Sequence, residues 1–148
     1  MLKNDCPASV SQKMKDEYRR NLNLLTGGSG RLLLVAGDQK VEHLNDDFFG
    51  RGISPEDAEP EHLFKVAAAS NGGVLATHLG FISRYGQDYP NLPYIVKING
   101  RSNLGSFEEK LAGDTWWNIE QIINFKKQSG LKNAGIGLTI YLGNKYET

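Results

Sequence analysis

The sequence predicts an α/β fold built on a parallel β-sheet. Along its 148 residues, one amphipathic helix precedes three strand–helix repeats and a fourth strand. This alternation is typical of parallel strands joined by crossover helices. The first strand, Leu32 to Ala36, is almost wholly apolar, which predicts a strand covered on both faces. Polar residues follow the first and third strands directly, so we expect a functional site at that edge of the sheet.

Length and composition predict a single domain spanning residues 1–148. The 17 basic and 17 acidic residues cancel, so the chain lacks the basic surface that binding to nucleic acid or to an anionic membrane requires. The single cysteine, Cys6, cannot form an internal disulfide, which predicts a reducing compartment. The sequence contains no apolar stretch of signal-peptide or membrane-spanning length. We therefore expect a cytoplasmic protein with no nucleic-acid or membrane partner.

The first 30 residues form a predicted N-terminal helix and linker, and residues 31–148 hold four strands, β1 to β4. The helix is predicted from Ser9 to Leu25, because its apolar residues line one side, and the glycines after Thr26 end it. We expect this helix to cover one end of the domain. The other predicted elements are helix 60–70, strand 74–77, helix 78–85, strand 94–98, a helix capped by Asp114 and ended at 129–130, and strand 134–142.

The strongest candidate for chemistry is the polar stretch directly after the first strand. Asp38 and Glu42 either cap and solvate a loop or contribute carboxylates to a site. Lys97 lies between Val96 and Ile98, so it is either a lysine at a wet edge or one aimed at a carboxylate or phosphate.

The three histidines do not predict a metal site. Glu42 and His43, with Asp46 and Asp47, could suggest one, but no further histidine follows at zinc-like spacing, and a helix cap explains the pair more simply. We therefore predict no metal and no cofactor. His62 and His78 stand alone, and we assign them structural roles.

Two architectures fit four parallel strands: a small open doubly wound sheet, or the first half of an eight-stranded (β/α)8 TIM barrel. No glycine-rich phosphate motif follows the first strand, and the glycines at 27, 28 and 30 precede it, which argues against nucleotide binding. A half barrel explains why polar residues gather after the first and third strands. We therefore predict a half barrel preceded by an amphipathic helix.

Three motifs carry a resemblance to a known family. The segments 36–43 (AGDQKVEH), 96–104 (VKINGRSNL) and 137–143 (GLTIYLG) resemble the archaeal-type class I fructose-bisphosphate aldolases, in matching order. The resemblance implies an eight-stranded barrel that cleaves fructose 1,6-bisphosphate to dihydroxyacetone phosphate and glyceraldehyde 3-phosphate through a lysine Schiff base. It also implies that no metal is needed.

The resemblance also implies a set of site residues. Asp38 matches the family's aspartate that contacts substrate and assists proton movement, whereas Gln39 stands where many relatives carry a histidine. The family's Schiff-base lysine lies in later strands, beyond Thr148, so Lys97 is not expected to be the nucleophile. The predicted set is Asp38 as catalytic and substrate-binding residue, Gln39, Lys97 and Asn99 as substrate-binding residues, and Glu42, His43, Thr139 and Tyr141 at the site rim.

Three functions follow as alternatives. The chain is the amino-terminal half of a Schiff-base aldolase and inactive alone, or a non-catalytic protein that binds a phosphorylated sugar or a partner. The third alternative is a related barrel lyase or transferase that acts on another keto compound. Half a barrel exposes strand edges and apolar faces, so we expect a homo-oligomer or pairing with a C-terminal half.

Overall fold

The computed structural model describes residues 6–43, 48–101 and 115–140. In these ranges, four parallel strands form one sheet in the order β1-β2-β3-β4. No helix within them is long and apolar enough to cross a membrane. The elements are α1 (Lys15–Thr26), β1 (Leu34–Ala36), α2 (Gln39–Glu42), α3 (His62–Ala69), β2 (Val74–His78), α4 (Leu79–Tyr85), β3 (Tyr94–Lys97), α5 (Ile119–Ser129) and β4 (Asn133–Gly137). The predicted α/β class and strand–helix alternation are confirmed.

The pairing register assigns each side chain of β2 and β3 to one of two faces. Leu75 pairs with Tyr94 and Thr77 with Val96, whereas Ala76 pairs with Ile95 and His78 with Lys97. Because successive side chains of a strand point to opposite faces, the first two pairs share one face and the last two the other. We call these the outer and inner faces. His78 and Lys97 therefore lie side by side on the inner face, at the carboxyl ends of their strands.

The hydrophobic core forms where the outer face meets the helices. Phe64 of α3 is fully buried, and its ring centroid lies 5.4 to 6.1 Å from those of Tyr85, Tyr89 and Tyr94. Aromatic rings at this spacing stabilise the fold beyond the contribution of the apolar area that they bury. The core also includes Leu75, Leu79, Ile82, Val96, Ile122 and Leu131. This layer holds the strands rigidly, so that the carboxyl ends of the strands have a fixed framework.

The amphipathic N-terminal helix is present, but it begins later than predicted. A 3₁₀ turn over Gln12–Met14 precedes α1, which ends where Gly27 adopts a left-handed φ of 55°. The helix packs against β4. A Cβ placed on Gly135 would lie 3.4 Å from Ile95 and 3.6 Å from Leu25 of α1, which are ordinary van der Waals distances, so α1 packs closely over this strand.

The predicted burial of the first strand is wrong. Only Leu34–Ala36 is a strand, and Leu32, Leu33 and Leu34 are 52%, 51% and 47% exposed. Within the described ranges, β1 pairs with β2 alone, so its other edge has no neighbouring strand to cover it.

Two further boundaries differ from the sequence prediction. The fourth strand ends at Gly137 rather than Leu142, so Thr139 lies beyond it, and Tyr141 lies outside the described residues. Helix α5 begins after Asn118 rather than at Asp114, which also lies outside the described residues. The Asn118 side chain accepts a hydrogen bond from the Gln121 N–H at 2.8 Å, and the Gln121 side chain accepts one from the Asn118 N–H at 2.9 Å. This reciprocal capping box fixes the start of the helix.

We expect Asn118→Ala to lower the free energy of unfolding by about 1 kcal/mol, because the Gln121 N–H loses its side-chain acceptor. Urea denaturation followed by circular dichroism measures the change. Asn118→Asp keeps a capping oxygen and serves as the control. Equal losses in the two variants would contradict the capping explanation.

Candidate active site

The backbone after β1 is fixed by hydrogen bonds to β2. The Gly37 N–H donates to the Ala76 carbonyl at 2.7 Å, and the hydroxyl of the buried Thr77 donates to the Gly37 carbonyl at 2.7 Å. A Cβ on Gly37 would lie 2.9 Å from a methyl group of Leu75 and 3.3 Å from the Ala76 carbonyl oxygen, so glycine suits the close approach of the chain here. Asp38 follows directly, and its carboxylate is therefore delivered from a backbone with little freedom.

A buried ion cluster joins three elements at the carboxyl ends of the strands. The Lys97 ammonium donates hydrogen bonds to the carboxylate of Asp38 and to Oε1 of Glu42, the latter at 2.9 Å. The side chains of Lys97, Asp38 and Glu42 are 9%, 20% and 10% exposed. The predicted proximity of Asp38 and Lys97 is confirmed. Glu42, predicted at the rim, is a central member of the cluster.

The electrostatic balance keeps Lys97 protonated. Burial lowers its pKa and is the largest single influence, but the hydrogen bonds and charges of Asp38 and Glu42 together outweigh it and raise the pKa above 10.5. A Schiff-base lysine must be unprotonated to attack a carbonyl. The Lys97 ammonium is therefore suited to binding and orienting, as is expected of a residue that is not the nucleophile.

His78 is a buried neutral imidazole beside this cluster. It is 4% exposed, and neither ring nitrogen has a hydrogen-bond partner among the described residues. Burial, helped by the Lys97 charge and opposed by Asp38, lowers its pKa to about 4. Its ring lies against the Trp116 ring, with the centroids 4.6 Å apart. An imidazole that stays neutral keeps one N–H donor and one acceptor nitrogen.

Gly100 lies where the ion cluster meets the paired rings of His78 and Trp116. A Cβ at this position would lie 2.9 Å from Glu42 Oε1, 3.1 Å from His78 Cε1 and 3.2 Å from the Trp116 ring. No side chain fits here without displacing the buried carboxylate. The backbone N–H of Trp116 donates to the Ile98 carbonyl at 2.7 Å, which holds the tryptophan next to the end of β3.

Asn99 joins the ends of β3 and β4 rather than pointing freely into the site. It is fully buried, its amide nitrogen donates to the Thr139 carbonyl at 2.7 Å, and its oxygen accepts from the Thr139 N–H at 2.9 Å. Both bonds are to the main chain of Thr139, so the Asn99 side chain holds the segment after β4 against the end of β3. Its predicted contact with substrate stays a prediction.

The remaining predicted site residues surround α2. Gln39 is half-buried at the first position of α2. His43 follows the helix, where its N–H donates to the Gln39 carbonyl at 2.8 Å. Thr139 contributes its main chain to the Asn99 contact, and Tyr141 lies outside the described residues. Their roles at the rim stay predictions.

Sequence reasoning missed the aromatic side of the site. The sequence assigns His78 a structural role and places Trp116 in no site. One signal could have found His78: it ends β2, as Lys97 ends β3, and the site was already expected at the carboxyl ends of the strands. Trp116 carried no such signal, because its position depends on a loop.

A cavity of about 450 Å³ opens beside His78. It is lined mainly by aromatic rings, and its one charged lining residue is Arg84: the lining is Val41, His78, Gly80, Phe81, Arg84, Tyr85, Trp116 and Trp117. Among the described residues, no group of three or more His, Cys, Asp or Glu side chains is placed to hold a metal ion.

Four parallel strands in consecutive order, with charged side chains gathered at their carboxyl ends, are the arrangement found in half of a (β/α)8 barrel rather than in a doubly wound sheet, whose strand order reverses. Comparison with known families specifies the class further: the model described as DeoC/LacD family aldolase matches residues 32–147. The chain therefore belongs to the DeoC/LacD aldolase family.

Individual relatives agree with this assignment. The fructose-bisphosphate aldolase/6-deoxy-5-ketofructose 1-phosphate synthase of Methanocaldococcus jannaschii is 46% identical over 141 residues, which are 95% of this chain and 45% of that protein. A solved fructose-bisphosphate aldolase from Slackia heliotrinireducens is 41% identical with a TM-score of 0.87, over 98% of this chain and 46% of that one. The chain thus spans about half the length of these relatives.

A more distant structure supports the fold. A Schiff-base-forming fructose-1,6-bisphosphate aldolase is 22% identical with a TM-score of 0.65, over 86% of this chain and 46% of that one. Its likeness concerns the fold alone. Because these structural neighbours are TIM barrels, the four strands described here form half of such a barrel, as predicted.

We expect Lys97→Met to destabilise the chain by about 3–5 kcal/mol, because two buried carboxylates lose their counter-charge. Equilibrium urea unfolding measures the loss. Lys132→Met is the matched control, since among the described residues that ammonium donates its hydrogen bonds to Asn91 at the surface. Adding Asp38→Asn and Glu42→Gln to Lys97→Met should recover part of the loss. An undiminished loss in the triple variant would contradict the charge explanation.

We expect His78 to make stability depend on pH between about 4 and 6.5. The pKa of His78 is lower in the folded chain than in the unfolded chain, so the unfolded chain binds the extra proton in this window. His78 therefore contributes fully above pH 6.5, and its contribution falls as the pH drops towards 4. Unfolding free energies of wild type and His78→Gln, measured at several pH values, should converge on acidification.

His62→Gln is the control for the pH experiment. His62 pairs with Glu56 and Asp57 in a 3₁₀ turn rather than with the ion cluster. This variant should keep the acid-sensitive slope that is due to His78. A wild-type slope unchanged by His78→Gln would show that the buried imidazole is not its source.

Proposed function

We propose that this chain provides the β1–β4 half of a class I aldolase that reversibly cleaves fructose 1,6-bisphosphate to dihydroxyacetone phosphate and glyceraldehyde 3-phosphate. The observation that carries the proposal is the buried cluster of Lys97, Asp38 and Glu42 at the carboxyl ends of the strands. Family membership and the names of the two relatives support the substrate class.

The chemistry requires an electron sink and a base. Cleavage breaks a carbon–carbon bond: a base removes the proton from the hydroxyl on the carbon that becomes the aldehyde, and the bond's electron pair moves into a lysine imine. We assign the imine to a lysine in the second half of the barrel, because Lys97 is held in its protonated form. Asp38 is the proposed acid–base residue, since it ends β1 and keeps 20% of its side chain exposed.

Lys97 and Glu42 set the charge of the proposed site. The ammonium fixes the Asp38 carboxylate through a hydrogen bond and can also attract the oxygens of a phosphorylated ketose. Glu42 is less exposed than Asp38, and its bond to Lys97 limits its movement. In this proposal, Asp38 contacts substrate, whereas Glu42 positions the lysine.

The second substrate candidate is a related keto sugar phosphate. The M. jannaschii relative is named both as a fructose-bisphosphate aldolase and as a 6-deoxy-5-ketofructose 1-phosphate synthase. The two compounds share a phosphorylated ketose, so a site that recognises this shared part could take either. A cytoplasmic location stays a prediction from the sequence.

We propose a second barrel half as the partner. β1 and β4 are the outer strands of the described sheet. Next to them, Leu32 and Leu33 are 52% and 51% exposed, and Leu138 and Ile140 are 57% and 60% exposed. A second four-stranded half would pair with both edges and cover these side chains.

Complementation tests the proposed activity. This chain would be co-expressed with the C-terminal half of the M. jannaschii relative, and cleavage of fructose 1,6-bisphosphate would be measured. We expect activity from the pair and none from this chain alone. Borohydride trapping with dihydroxyacetone phosphate should label the partner half, and a chelator should leave the rate unchanged. A label on this chain would contradict the assignment of the imine.

Variants within the active pair test the role of Asp38. We expect Asp38→Asn to lower kcat by about 10² or more, because the amide cannot accept the proton. Asp16→Asn is the matched control and should keep the wild-type rate, because the Asp16 side chain is 84% exposed on α1 and bonds to Arg19 of the same helix. If the pair binds ketose phosphates but never cleaves them, the non-catalytic binding function is favoured instead.

A further inference from the structure

We propose that His78 is a substrate-binding residue that hydrogen-bonds a hydroxyl of the phosphorylated ketose, after the Trp116 ring that lies against it moves aside. The proposal rests on the proposed function and deepens it, because it names a further specificity-determining residue. Its starting point is a buried imidazole without a partner for either nitrogen.

Two unpartnered nitrogens in a buried ring require an explanation. Native structures pair nearly all buried polar groups, because an unmade hydrogen bond leaves the group without the water that it lost. His78 lacks a protein partner within the described ranges, yet it is 4% exposed. An apolar residue in this position would avoid the cost. The arrangement is explained if a ligand supplies the missing partner.

The state of the ring selects the chemistry of that ligand. Burial, helped by the neighbouring Lys97 ammonium, lowers the pKa of His78 to about 4, so the imidazole is neutral at physiological pH. A neutral imidazole offers one donor and one acceptor, and a hydroxyl group offers the same two functions in return. A phosphate group binds best to positively charged side chains, and the neutral His78 ring carries no positive charge. The ligand group opposite His78 is therefore a sugar hydroxyl.

Trp116 explains how the ring is covered and how it can be reached. Its ring lies 4.6 Å from His78 between centroids, and it is itself 39% exposed. Both residues line the cavity of about 450 Å³, so a tryptophan that moves aside would expose more of the imidazole to a space that is already open. Displacing one partly exposed ring opens His78 without disturbing the buried strand that carries it.

The neighbouring contacts direct the ligand towards the ion cluster. The position of a Cβ on Gly100 lies close to His78, Trp116 and Glu42 at the same time. Glu42 bonds to Lys97, which bonds to Asp38. A ketose phosphate held by Lys97 and Asp38 therefore has a hydroxyl within reach of this wall.

Isotope labelling tests the contact directly. This chain, labelled with ¹⁵N in its histidines and tryptophans, would be assembled with the unlabelled C-terminal half of the M. jannaschii relative. Spectra would be recorded with fructose 1,6-bisphosphate and with inorganic phosphate, and His78→Phe and Trp116→Phe would assign the signals. We expect fructose 1,6-bisphosphate to shift both the His78 ring nitrogens and the Trp116 indole, and inorganic phosphate to shift neither.

Kinetics of the same pair separate binding from folding. His78→Phe keeps a ring against Trp116 but removes both polar atoms, and we expect KM to rise about tenfold with little change in kcat. His78→Gln restores a donor and an acceptor and should recover part of this loss. His62→Phe is the matched control and should keep the wild-type KM. A purely structural role for His78 would lower the amount of active pair and leave KM unchanged.

Each other outcome overturns a defined part of the proposal. Equal shifts with inorganic phosphate would make the site an anion site rather than a hydroxyl site. A pair that cleaves substrate with His78 signals unmoved would overturn this inference and leave the proposed function intact. A pair with neither cleavage nor ligand-induced shifts would overturn both.

Discussion

The site depends on one constraint: the ammonium of Lys97 is buried, and a buried charge needs a partner. Asp38 and Glu42 meet this need from the turn after β1 and from α2. Helix α2 has only four residues, too few to be stable by itself. Its position is therefore determined by the Glu42–Lys97 bond across the strand ends. The same bond orients Asp38, because both carboxylates bind one ammonium.

The charge of Lys97 also favours the neutral state of His78. Burial is the main reason for the low pKa of His78, and Lys97 adds to it. At physiological pH the site thus combines a charged lysine with an uncharged imidazole on neighbouring strands. Gly100 keeps the two regions in contact, since any larger residue would displace Glu42 or His78. Asn99 holds the end of β3 to the Thr139 main chain, beyond β4, through two hydrogen bonds.

Sequence reasoning found the parts of this arrangement that depend on position along a strand. Asp38 and Lys97 were predicted at the carboxyl ends of parallel strands, and the structure brings them together. Glu42 was underestimated because its burial depends on a pairing 55 residues away, which no local pattern encodes. The burial of β1 was overestimated because an apolar run shows what a strand can bury and not whether a neighbour is present. The capping residue of α5 was misplaced by four positions because Asp114 and Asn118 are both good caps, and only Asn118 has a glutamine three residues later.

The pKa values of two lysines in the described residues, Lys97 and Lys40, bear on the proposal that the imine lysine belongs to a second barrel half. An imine requires an amine that loses its proton easily, and Lys97 is held in the opposite state. Burial lowers the pKa of Lys40, which is the direction that an imine-forming lysine needs. The Lys40 ammonium, however, lies against the Phe48 ring, 3.5 Å from its centre. Lys40 and Glu42 are two residues apart on α2, so their side chains point to different sides of the helix. Neither lysine therefore combines an available amine with a position beside Asp38. In the proposed reaction, the described strands would supply fixed charges and neutral hydrogen-bonding groups around the place where a ketose is held.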